Sequence, residues 1–133
     1  MASTVSAEQH ENYLRIALTG NWDSSSLGPT ADKILALCEK HQTREILMDV
    51  RNLEGNPNAF DRFAMATLFT AKYFAARLAN RVPPCRFAVI GKEPLVDRKR
   101  FEETVDVNRG LPVKTFTDLE EAEKWLEASR VAR

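Results

Sequence analysis

The sequence holds few of the residues that carry chemistry. Two histidines and two cysteines are scattered through 133 residues. His10 falls in a short polar spacer and His41 at a helix end, and neither Cys38 nor Cys85 belongs to a CxxC pair. A metal site needs three or four such ligands brought together, so neither a metal nor a cofactor is expected. GxSxG, HExxH and Gly-rich phosphate-loop patterns are all missing, which argues against an enzyme. Cys38 on an apolar helix stripe and Cys85 just before an apolar strand read as small buried hydrophobes of a reduced, cytoplasmic setting. No apolar run approaches the roughly 20 residues needed to span a bilayer. Met1–Ala7 lacks the basic-then-apolar pattern of a secretory signal. Net charge is also missing: 19 basic residues balance 19 acidic ones, whereas a dedicated nucleic-acid binder carries a basic excess. The one local imbalance, nine Lys/Arg against five Asp/Glu from Arg77 to Lys114, reads as a solvated basic face, with a weak anion-attracting surface as the alternative.

What is present is an ordinary globular balance, 44% hydrophobic and 29% charged, over a length that fits a single domain spanning 1–133. Thr4–Gln9 and Tyr13–Thr19 bracket His10-Glu-Asn12. In the second run Leu14, Ile16 and Leu18 alternate with Arg15, Ala17 and Thr19, the period of a half-buried strand, and the short spacer predicts an antiparallel hairpin. Leu27, Ala31, Ile34, Leu35 and Cys38 form a single helical stripe with Pro29 in its first turn. Glu45–Val50 is a short apolar run of buried-strand type, followed by a polar turn, Arg51–Asn58. Ala59–Asn80 contains neither Gly nor Pro and is expected to be the longest helix, stopped by Arg81-Val-Pro-Pro84. Arg86–Gly91 is a second buried strand. Leu95–Val107 holds a short charged helix, and Asn108–Pro112 a loop. Val113–Phe116 is the last strand. Thr117 and Glu120 form a capping box for a closing helix that buries Leu119, Ala122, Trp125 and Leu126. The order β-β-α-β-α-β-(α)-β-α predicts an α/β fold with a mainly parallel four- to five-stranded sheet and a β-hairpin at its start.

The hairpin ending in Leu18-Thr-Gly20 leads to the Ile-Leu-Met-Asp-Val strand at 46–50 and a helix directly after its loop. With the closing Val113-Lys-Thr-Phe116 and Glu121-Ala-Glu-Lys-Trp-Leu126, the chain resembles the STAS domain family, named after sulfate transporters and anti-sigma-factor antagonists. The likeness runs over nearly the whole chain and is nearest to small stand-alone STAS-like proteins similar to anti-sigma-factor antagonists. It implies a non-enzymatic regulatory module acting by protein–protein contact. In regulatory members the loop after the central strand carries an Asp-Ser pair whose Ser is phosphorylated. The matching segment here is Gly55-Asn-Pro-Asn-Ala-Phe60, which puts Asn58, without a hydroxyl, at the acceptor position. Thr67, the nearest later hydroxyl, is expected to face the core.

Two surfaces stand out as candidate sites. Open α/β sheets bind ligands outside the C-terminal ends of their parallel strands. There the chain places Trp22, Asp23, Arg51, Asn52, Asn58 and Lys92, an edge suited to a nucleotide or lipid headgroup and the alternative to the interaction reading. The other surface is on the long helix. Phe60, Phe63, Ala64, Leu68, Ala71, Phe74 and Leu78 form the stripe expected to meet the sheet. Met65, Phe69, Tyr73 and Ala76 fall nearly opposite. One helix on one sheet needs one apolar stripe, so the second is expected to be covered by another element, a second copy of the chain, or a different protein. A homodimer through Met65, Phe69, Tyr73 and Ala76 is the simplest self-association.

Overall fold

The computed structural model describes residues 4–55, 59–92 and 113–132. The expected helix over 95–107, the loop over 108–112 and Asn58 lie outside them. The elements in chain order are β1 (Thr4–Gln9), β2 (Leu14–Asn21), a 3-10 turn (Ser24–Ser26) and α1 (Leu27–His41). They continue with β3 (Glu45–Asp49), β4 (Leu53–Glu54), α2 (Ala59–Leu78), β5 (Arg86–Ile90), β6 (Val113–Phe116) and α3 (Leu119–Ala132).

The sheet runs β1-β2-β3-β5-β6. β1 is antiparallel to β2, and β2–β3, β3–β5 and β5–β6 are parallel, as the element order predicts. The two-residue β4 was not expected: within the predicted turn, Leu53–Glu54 pairs in parallel with Gly20–Asn21 at the end of β2. The buried side chain of Leu53 pulls this part of the turn onto the core.

Alternation along the strands divides the core in two. Leu14, Ile16, Leu18, Ile46 and Phe87 face one side and pack under α1 and α2 with Ile34, Leu35, Cys38, Tyr73 and Ala76. Leu47, Ala88, Ile90 and Phe116 face the other and pack under α3 with Ala122 and Leu126. β3 is buried on both faces, which explains its unbroken apolar run. Cys38 and Cys85 are free and buried. Contact with the Cys85 sulfur and burial both hold the Cys38 thiol above its ordinary pKa. At the edge, the Tyr13 hydroxyl donates to Glu123 Oε2 at 2.8 Å, tying the hairpin to α3; burial and this carboxylate push the Tyr13 phenol up to about 12.

The helix ends follow local chemistry. Gln42 closes α1 in the left-handed region at φ 52°, its N–H donating to Cys38 O. Asn80, at φ 61°, closes α2, and Arg81 N–H donates back to Ala76 O at 2.9 Å, the wrap of a Schellman-type ending. At α3 the cap differs from the one predicted. Asp118 rather than Thr117 accepts from the helix, its Oδ1 taking the Glu120 N–H at 3.1 Å. A carboxylate at the N-cap is also favoured by the positive end of the helix dipole.

Candidate functional site

At the C-terminal edge of the sheet, the side chains expected to hold a ligand are mostly engaged within the fold. Trp22 follows β2 and packs against the core beneath α2. Its indole Nε1 donates to Met65 Sδ at 2.9 Å, and its N–H donates to Glu54 O at 2.7 Å. Gly55 makes this approach possible: at φ +141° a Cβ would lie 2.9 Å from Trp22 Cβ. Asp23 caps the 3-10 turn through Ser25 N and Oγ, and these bonds hold its carboxyl below the usual range. Asn52 and Lys92 are exposed.

Arg51 belongs to a buried ion cluster. Asp49, 2% exposed, receives Arg15 Nε and Nη2 at 3.1 and 2.8 Å, and Arg51 Nε and Nη2 at 2.9 and 2.8 Å. Its Oδ1 also accepts the Arg51 N–H at 3.1 Å, which turns the chain as it leaves β3. Burial alone would raise the Asp49 carboxyl; the bonds from Arg51 and then Arg15 overcome it and hold the group at about 2. The cluster fixes the direction of the loop that leads into α2. Among the described residues no three His, Cys, Asp or Glu side chains are grouped to hold a metal ion.

The long helix carries a correction. Its two apolar stripes face opposite ways to the prediction. Tyr73 and Ala76, expected to be a contact surface, are 4% and 0% exposed. Phe69 packs edge-on to Phe87 at 5.2 Å between ring centroids, and Tyr73 to the same ring at 5.7 Å. The Tyr73 hydroxyl accepts the Cys85 N–H at 2.9 Å, and Met65 meets Trp22. Met65, Phe69, Tyr73 and Ala76 are therefore the helix's seam with the sheet. The stripe assigned to the sheet is instead turned to solvent: Phe60 is 76% exposed, Phe63 46%, Phe74 38% and Leu78 90%. Ala71 of that stripe is exposed as well, while Ala64 and Leu68 are half-buried; the neighbouring Thr67 is exposed, so Thr67 does not face the core.

Length is the signal that distinguishes the stripes. Met65 to Ala76 spans about 17 Å of helix, the reach of a five-residue strand at about 3.3 Å per residue. β3 and β5 each have five residues. The stripe from Phe60 to Leu78 spans about 27 Å and overruns them at both ends. The outer stripe is the longer and more apolar of the two, so a helical wheel favours the wrong face.

No family model matches the chain, and no curated protein matches it. Solved structures do. An anti-sigma factor antagonist from Mycobacterium paratuberculosis superposes with a TM-score of 0.58 at 14% identity, covering 95% of both chains. An RsbS variant from Moorella thermoacetica gives 0.57 at 18% identity, over 96% of this chain and 98% of its own. A DUF3478 protein from Shewanella loihica, described as having a SpoIIAA-like fold, gives 0.51 at 19% identity over 93% of both.

The fold is STAS-like.

At these identities the agreement concerns architecture. Within a STAS-like fold the exposed stripe lies on the helix that follows the central strand and its loop.

Proposed function

We propose that this chain is a non-enzymatic regulatory module that works by protein–protein contact through the outer face of α2. The observation that carries this reading is the clustering of exposed apolar bulk. Phe60, Phe63, Phe74 and Leu78 are the large hydrophobic side chains found exposed among the described residues, and all four lie on one face of one helix. An aromatic side chain presents about 150–250 Å², so the four expose on the order of 450 Å². That is the size of the largest apolar patch on a typical monomer, and such patches are often functional. The STAS-like fold supports the same reading, since its structural neighbours include anti-sigma factor antagonists and a stressosome component. Because the resemblance places Asn58, which has no hydroxyl, at the acceptor position, phosphorylation at that position does not switch the contact. Two buried free cysteines suit a reducing, cytoplasmic setting.

A photoreactive benzophenone side chain at Leu78 in growing cells tests this. A cross-linked product with another polypeptide is expected there and at Phe60, but not at Asn12 in the β1–β2 turn. Absence of a product at both helix positions overturns the reading.

A further inference from the structure

Resting on the interaction reading above, we infer that the outer face of α2 pairs with the same face of a second copy of this chain. The two helices run antiparallel about a two-fold axis at the level of Phe69. The exposed residues along this face are Phe60, Phe63, Thr67, Ala71, Phe74 and Leu78, and they are nearly symmetric about their midpoint. Turning the helix end for end about Phe69 places Phe60 on Leu78, Phe63 beside Phe74, and Thr67 on Ala71. Large side chains meet large ones at both ends, and small ones meet at the centre. Small central residues let two helix backbones approach closely, because interaxial distance is set by the side chains at the contact. None of the six residues is charged, so no ion is stripped of water when the faces close.

Symmetry also decides how copies can join. A contact between two different patches builds rings or open filaments, whereas a patch that matches itself closes as a dimer. Among the described residues the exposed large hydrophobic side chains all lie on this stripe. Among the described residues no second apolar patch receives it head to tail, which favours an isologous contact. Two copies would bury on the order of 900 Å² from the four large side chains alone, and the neighbouring residues of α2 bring this toward the roughly 1,200–2,000 Å² of a stable interface.

Sedimentation equilibrium at tens of micromolar, joined to cysteine cross-linking, tests the pairing. In a background with Cys38 and Cys85 replaced by Ala and its fold verified by circular dichroism, chains carrying Phe60→Cys are mixed with chains carrying Leu78→Cys and oxidised. The expected results are a mass twice the 15.1 kDa chain and a dominant cross-link between the two kinds of chain. Phe60→Cys alone should cross-link poorly, since its two copies would stand about 27 Å apart along the helices. Leu78→Asp should weaken self-association at least tenfold with an unchanged circular dichroism spectrum. A dimer that cross-links Phe60→Cys to itself, or that ignores Leu78→Asp, overturns the inference. So does a monomer at these concentrations. In that case a heterologous polypeptide captured at Leu78 in cells leaves the interaction reading standing, whereas no capture removes both.

Discussion

Five hydrogen bonds from two arginines converge on the Asp49 carboxylate, and they set the acid sensitivity of the fold. The group sits at about 2 in the folded chain, against an ordinary value of about 3.9. A depressed carboxyl contributes stability that is complete above its unfolded value and is lost as pH falls through the folded one. Asp49 should therefore contribute about 2–3 kcal/mol at neutral pH, disappearing between about pH 5 and pH 2. Denaturant titrations across that range should show the loss, and Asp49→Asn should flatten it while being less stable at pH 7. Tyr73 offers a cleaner single-atom change. Removing its hydroxyl leaves the buried Cys85 N–H without its acceptor, so Tyr73→Phe should cost about 1–3 kcal/mol in urea denaturation.

At the scale of the element, α2 has two apolar faces with different duties. Ala76 is wholly buried against the sheet side, and enlarging it to Leu should overpack the seam by about 1–3 kcal/mol. The same size of change outside, Ala71→Leu, should leave the unfolding free energy of the monomer, measured by dilution below the pairing range, within about 0.5 kcal/mol, as surface substitutions do. Thr67 lies in the middle of the exposed stripe. Thr67→Glu should dissolve the proposed pair in sedimentation while Thr67→Val preserves it, because a buried unpaired carboxylate is far costlier than a methyl group. The helix itself was legible from a segment free of Gly and Pro, as was the presence of two stripes. Which stripe meets the sheet was not, because a wheel records angle and ignores length. Strand length supplies the missing constraint, since five-residue strands cover only the span from Met65 to Ala76.

For the whole molecule, assembly and folding are linked if the outer face is paired. A contact made by the folded chain alone raises apparent stability with concentration. The thermal midpoint of the native chain should climb as concentration rises from about 1 to 100 μM, while that of Leu78→Asp stays fixed; differential scanning fluorimetry reads both. An apolar contact should also keep its strength from low to high salt, unlike one held by surface ion pairs.

The sequence by itself determined the strand and helix order, the antiparallel hairpin, the parallel core strands and the STAS-like architecture. The first three are written in local periods of two or 3.6 residues and in turn-forming segments; the STAS-like architecture rests on the likeness of the whole chain to a known family. Only the tertiary structure decided which side of α2 is wet, that Asp118 caps α3, that Leu53–Glu54 adds a short strand, and that Trp22 lies on Met65. The wet side of α2, the short strand and the Trp22 contact turn on distances between segments far apart in the chain, whereas the cap is a local choice between two neighbouring side chains. Local pattern says what a segment can bury; the length and position of its neighbours decide what it does bury.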